Sequence, residues 1–166
     1  MIELSHETYV SPDDDCRAPI LAAIAGATTS IRVADYTMNW TDFAAALIAK
    51  HQAGVDVRLV LDRSEAGVHT EEAVLASLRG AGVPLVIGTS QKHQIMHLKL
   101  IVVDGATVVS GSYNFSTNAQ AESNIVDIET GNVLRASYLA GRIDELSAWI
   151  TANEPQAAPA PTPPAP

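Results

Sequence analysis

The sequence predicts an α/β fold, a mixed and mainly parallel β-sheet flanked by helices on both faces. Strand-like and helix-like segments alternate over the first 150 residues, the order that a sheet with helical crossovers requires. Two apolar runs then flank Asp104-Gly105, and Asp-Gly between such runs is a strong short-range hairpin signal. The length of 166 residues and a hydrophobic content of 47% suit a single domain with a real core.

The elements follow in order. A first helix is expected from Asp13 to Ala27, with three aspartates at its positive end. "SIRVADY" (Ser30 to Tyr36) and "VDVRLVLD" (Val55 to Asp62) are rich in β-branched residues and read as strands. Between them "TDFAAALIAKHQAG" sets Phe43, Leu47 and Ile48 at helical spacing, with Gly54 as its stop. "TEEAVLASLRGAG" repeats the pattern, with Thr70 as N-cap and two glutamates in the first turn. "PLVIG" is a short strand. The hairpin follows, then the strand "NIVDIET" (Asn124 to Thr130). A final helix from about Val133 to Ala152 carries a stripe of Leu134, Tyr138, Leu139, Ile143, Leu146 and Ile150. The domain is therefore taken as residues 1–152. The Pro- and Ala-rich tail, 153–166, cannot build a core and is expected to be disordered or polyproline-like.

Cys16 is the single cysteine, which leaves no disulfide framework and no cysteine-based zinc site. The start "MIELSHETYV" has neither the basic nor the apolar region of a secretory leader, and no apolar run approaches the ~18 residues of a membrane span. The expectation is a cytoplasmic protein without stable membrane insertion. A net charge of −9 argues against indiscriminate binding to nucleic acid or anionic lipid. The acids are unevenly spread, however. From Ala73 to Val103 there is no Asp or Glu, and Arg79, Lys92, His93, His97 and Lys99 fall in that stretch.

His97 and Lys99 stand out in "HLKLIVVD" because they head an otherwise aliphatic strand. Alternation puts both on one face, continued by Ile101 and Val103, while Leu98, Leu100 and Val102 take the other. Two apolar faces mark a central strand, and ligands bind at strand ends in open α/β sheets. The run "TVVSGSYN" returns beside it and brings Gly111, Ser112 and Asn114 to the same level, Gly111 permitting close approach of a backbone or ligand. An imidazole, an ammonium, a hydroxyl and a carboxamide with no carboxylate among them suit an anion with several oxygens, such as a phosphodiester.

"HLKLIVVD" matches the H-x-K-x4-D pattern of the phospholipase D superfamily, and "GSYNFS" matches the G-S-x-N element that follows it there. The chain resembles the small bacterial endonucleases of that superfamily over about residues 5–150. The resemblance implies His97 as nucleophile through a phosphohistidine, with no metal or other cofactor. It implies Lys99, Asn114 and the nearby Ser112 as phosphate ligands, and Glu122 as the acid that orients His97. Those endonucleases have Glu directly before Asn, whereas Ser123 intervenes here, so Asn124 is the alternative for that place. Asp104 belongs to the motif, yet Asp104-Gly105 is what a type I′ turn requires, and a structural role is expected for it.

One histidine cannot attack phosphorus and protonate the leaving oxygen on its opposite side. No second H-x-K occurs, so a homodimer sharing one site is expected, with His97 of the partner subunit as general acid. His93 and His97 would not share a face in a loop leading to a strand, which argues against a metal pair. Tyr36 and Trp40 are rim candidates, and His69 and Arg63 fall in a nearby loop. Nucleic acid is the expected substrate and phospholipid the alternative. A catalytically silent phosphate- or nucleic-acid-binding module is a third class.

Overall fold

The computed structural model describes residues 3–156. β1 (Ser5–Ser11), α1 (Arg17–Ala25), β2 (Ser30–Asp35), α2 (Thr41–Gln52), β3 (Asp56–Asp62), α3 (Arg63–Ala66), α4 (His69–Gly80), β4 (Leu85–Gly88), β5 (Lys99–Val103), β6 (Thr107–Gly111), β7 (Asn124–Thr130) and α5 (Val133–Asn153) follow one another. A single 3₁₀ turn, Ala119–Ala121, precedes β7. The strands form one sheet in the order β1-β7-β6-β5-β2-β3-β4.

Parallel pairing is confined to β2-β3 and β3-β4, while β2-β5, β5-β6, β6-β7 and β1-β7 are antiparallel. The sheet is mixed as expected, but the mainly parallel character holds only for β2, β3 and β4. The reason is connection length. Helical crossovers after β2 and β3 allow parallel return, whereas the three-residue connection Asp104-Gly105-Ala106 forces β6 back antiparallel. Asp104 and Gly105 have positive φ, 52° and 61°, as a type I′ turn demands.

β5 lies fourth of seven and all its residues are buried. Its alternation separates two cores. Ile101 and Val103 join the layer under α1, α2 and α4 with Phe43, Leu47 and Phe115. Leu100 and Val102 join Ala34, Val60 and Val108 under α5. Each such fully buried aliphatic or aromatic side chain contributes roughly 1.5–3 kcal/mol.

Several expectations are corrected. β1 was not foreseen, because this edge strand is mostly exposed and shows no apolar alternation. α1 begins at Arg17 and ends at Ala25, and the aspartates lie before its first turn. Asp15 accepts the Arg17 and Ala18 amides at 2.9 and 3.3 Å, and Asp14 accepts Val10 N at 2.8 Å. α4 starts at His69 after Val68, so Thr70 is not its N-cap, and the short α3 precedes it. Of the stripe expected on α5, Ile143 and Ile150 are buried and Leu139 and Leu146 pack against the core, but Leu134 and Tyr138 are exposed (84% and 66%), and Ala136 is buried on that helix as well.

Of the expected tail, residues 153–156 are described and packed. Glu154 accepts Thr89 N at 3.0 Å and pairs with Arg63 at 2.7 Å, and Gln156 bonds both main-chain groups of Ile87 on edge strand β4. The rest of that segment, 157–166, lies outside the described residues. Among the described residues no helix is long and apolar enough to cross a membrane.

Candidate active site

The site forms where the carboxyl ends of β2 and β3 meet the amino end of β5 and the loop after β6. β2 and β5 run antiparallel with Asp35 opposite Lys99, so these two residues share one end of the sheet. β5 starts at Lys99, and His97 sits two residues ahead of it in the incoming loop. His97 is exposed and its ring meets the Tyr36 ring edge-on at 4.7 Å. Lys99 is buried at 8% exposure. Its Nζ donates to the His97 carbonyl at 3.3 Å and lies 4.9 Å from the centre of the Tyr36 ring. Tyr36 thus packs on both motif residues, a rim position on one flank of the imidazole.

Burial pulls the Lys99 ammonium below the ordinary lysine range, opposed by the negative charge of Asp35 and Asp62. Asp35 is fully buried, and burial drives its carboxyl well above the usual carboxylate range. Its Oδ2 accepts the Phe115 amide at 2.9 Å, which fixes the loop immediately after Asn114. Asn114 Oδ1 is buried without a hydrogen-bond partner among the described residues. An unpaired buried carboxamide oxygen costs roughly 1–3 kcal/mol.

Gly111 allows the close approach that its position implies. A Cβ there would lie 2.0 Å from the Ile125 carbonyl oxygen, so the approaching group is the β7 backbone. Ser112 is exposed, and its hydroxyl donates to Asn124 Oδ1 at 3.0 Å and accepts Ile125 N at 3.0 Å. Asn124 Nδ2 in turn reaches Glu122 Oε2 at 3.3 Å and the Ala119 carbonyl at 3.1 Å. Glu122 is exposed, and no hydrogen bond joins it to His97 among the described residues. The ring's neighbour there is Tyr36. Asn124 instead holds Ser112, and Glu122 accepts from Asn124.

Asp104 lies at the far end of β5, about 17 Å from Lys99 at ~3.4 Å per residue. It accepts the Thr28, Thr29 and Ser30 amides and the Thr28 and Thr29 hydroxyls, all at 2.8–2.9 Å. These donors hold its carboxyl well below the usual range even though partial burial opposes them. Its place is structural.

Trp40 is core, 4% exposed and stacked on Phe43. His69 is exposed beside Glu72, and Arg63 is held by Glu154. His93 packs its ring against Trp149 at 5.5 Å, away from the His97–Tyr36 contact. Among the described residues no group of three or more His, Cys, Asp or Glu could hold a metal ion. Asp35 and Asp62 were missed from sequence, although each follows an apolar run at the end of its strand, Val33-Ala34 in β2 and Leu59 to Leu61 in β3.

The profile of the family described as cardiolipin synthase, PLD-like domain, matches residues 20–137, which span α1 to the start of α5 and include every motif residue. The chain belongs to the phospholipase D superfamily. It is 33% identical over 134 residues to a phospholipase D of Rickettsia prowazekii, covering 80% of this chain and 63% of that protein. It is 28% identical over 143 residues to a mitochondrial cardiolipin hydrolase of Xenopus laevis, covering 80% and 66%. The chain thus spans about two thirds of these curated relatives. The crystal structure of Nuc, a phospholipase D family member from Salmonella typhimurium, superposes with a TM-score of 0.80 at 30% identity, covering 87% of this chain and 94% of that one. NucT from Helicobacter pylori shares the fold, with a TM-score of 0.72 at 21% identity.

Proposed function

We propose that this protein is a metal-independent phosphodiesterase that cleaves nucleic acid through a phosphohistidine on His97. The observation that carries this is an exposed imidazole two residues ahead of a buried lysine, with the Asn114 carboxamide in the neighbouring loop. In the first step a ring nitrogen of His97 bonds to phosphorus and the leaving P–O bond breaks. Lys99 and the amide group of Asn114 offset charge on the non-bridging oxygens, with Ser112 at the edge of the site. The leaving oxygen takes its proton from His97 of the partner subunit. In the second step water attacks phosphorus, gives a proton to that imidazole, and the P–N bond breaks to free His97.

The second imidazole calls for a two-fold dimer. Ile95 and Leu98, beside His97, are exposed together with Leu134 and Tyr138 on α5. Ile95, Leu98 and Tyr138 line a groove of about 430 Å³ that reaches His97. A contiguous apolar patch of this kind marks an interaction surface, and a second copy seated there would bring both His97 rings to one place. Leu134→Glu should convert a dimer to monomer in sedimentation and remove turnover together with dimerisation. A wild-type monomer with full activity would end the shared-site reading.

Nucleic acid is favoured by domain size, since the chain covers 94% of Nuc. Half of the ten Lys and Arg side chains are already committed to carboxylates. Arg32, Arg58, Arg63, Arg135 and Arg142 each pair with a carboxylate, so affinity for long DNA should be modest and steeply salt-dependent. The second reading is hydrolysis of a phospholipid headgroup ester, favoured by the apolar groove beside His97. Incubation with labelled single-stranded DNA, duplex DNA and phosphatidylcholine vesicles in chelator, with His97→Asn as control, decides between them. Cleavage of DNA supports the proposal, cleavage of lipid alone transfers it to the second reading, and cleavage of neither by a folded dimer favours a binding module.

A further inference from the structure

We propose that Asp35 and Asp62 are positioning residues that clamp the two motif loops from behind, Asp62 holding the segment that carries His97 and Asp35 the segment that carries Asn114. This rests on the phosphodiesterase reading of the site. The two aspartates end the adjacent parallel strands β2 and β3, which delivers both carboxylates to the end of the sheet where the motif loops arrive. Both are essentially inaccessible, at 0% and 1% exposure.

Each carboxylate takes a main-chain N–H from the residue next to a motif side chain. Asp62 Oδ2 accepts Met96 N at 2.5 Å, directly before His97, and Asp35 Oδ2 accepts Phe115 N at 2.9 Å, directly after Asn114. Neither His97 nor Asn114 lies in a helix or strand, so no ladder fixes these stretches. Asp62 is itself held, because its Oδ1 accepts Ser64 N at 2.8 Å and Ser64 Oγ at 2.5 Å. Asp35 Oδ1 is buried with no partner among the described residues.

A fold seeking only stability gains little here. Burying charged groups at one place costs more in lost hydration than well-packed apolar residues would. Phosphate chemistry explains the arrangement. A clamp that accepts a main-chain N–H leaves the His97 ring and the Asn114 amide free, and a misplacement of about 1 Å at a reacting group can cost ~100-fold in rate. The same two carboxylates supply the negative charge that the buried Lys99 ammonium faces from β2 and β3. The other groups around this centre are the Tyr36 ring and His97 beside Lys99, and Glu71 of α4 near Asp35, with Glu65 of α3 near Glu71. Without either aspartate Lys99 loses its proton at a lower pH.

The test uses the full chain, bis(4-nitrophenyl) phosphate as a phosphodiester indifferent to nucleic acid or lipid, and Asp104→Asn as a distant carboxylate control. Asp62→Asn and Asp35→Asn should each lower kcat about tenfold or more while KM stays within about threefold, and should move the alkaline limb of the pH profile to lower pH. Asp104→Asn should leave that limb in place. In the wild-type chain the Met96 and Phe115 amides should exchange as slowly as β5 amides. Folded variants with wild-type kcat and pH profile, or wild-type exchange of both amides at loop rates, would overturn the proposal. If a variant does not fold, the exchange result decides its clamp. A wild-type chain that cleaves nothing would count against the phosphodiesterase reading, and exchange would still judge the clamps.

Discussion

At one end of β5 the Asp104 carboxylate accepts five hydrogen bonds from Thr28, Thr29 and Ser30. At the other end, among the described residues, the buried Lys99 ammonium makes one bond, to the His97 carbonyl, and Asn114 Oδ1 makes none. Both ends carry letters of the same sequence motif, and both bring polar groups against an apolar strand. The difference lies in satisfaction. Where every lone pair has a donor, the group contributes to the fold. Where donors and acceptors are left over under burial, the structure has kept capacity for something that arrives later.

The sharpest way to break this comparison is His97→Asn, expected to reduce turnover of a phosphodiester about 10³-fold or more with the melting temperature unchanged. Lys99→Ala should cost about 10²-fold in kcat, because one preorganised cation is lost, and relief of its desolvation should leave stability level or raised. A loss of stability with unchanged kcat would place Lys99 with Asp104 instead.

The opposite pattern is expected at the far end. Asp104→Ala should lower unfolding free energy by about 2 kcal/mol in denaturant titration, a figure already reduced for partial exposure, and leave kcat intact in the folded fraction. Because the folded state holds this carboxyl below its unfolded value, its contribution is present above about pH 5 and fades as pH falls through the acid range. Gly111→Ala should cost a similar ~2 kcal/mol, since its Cβ would overlap the Ile125 carbonyl and push β7 from β6.

The smallest effect concerns Glu71, buried with the Met38 amide on its carboxylate at 2.7 Å. Burial raises its pKa to about 7. Here the folded protein holds a proton that the unfolded chain has released, so stability should fall as pH rises from the ordinary glutamate value towards 7. Glu71→Gln should remove that slope and stabilise the protein by on the order of 1 kcal/mol at pH 8, with little gain at pH 5. A gain equal at both pH values would show that Glu71 is saturated as Asp104 is.

Much of this was legible in the residues themselves. The hairpin followed from Asp104-Gly105, and the central place of β5 from its two apolar faces. His97 and Lys99 were visible as polar residues at the head of an aliphatic strand, and the G-S-x-N element brought Asn114 beside them. These signals are local, set by side-chain alternation and turn chemistry, and survive any packing. The same local rule applies to Asp35 and Asp62, each a carboxylate that closes a strand directly after an apolar run.

Other features depend on which surfaces meet. β1 has a polar, exposed pattern and becomes a strand only because β7 offers it a free edge. Leu134 and Tyr138 share the helical period of the residues that α5 buries, but the sheet is not beneath them. Glu122 is spaced to orient His97, yet Asn124 and Ser112 take it into a network of their own. By itself the sequence determined the strands, the turn and the two motif loops, because their causes act within a few residues along the chain. Only the tertiary structure decided which acids stand behind Lys99 and which apolar side chains stay uncovered, because both depend on distances across the sheet that no spacing along the chain encodes.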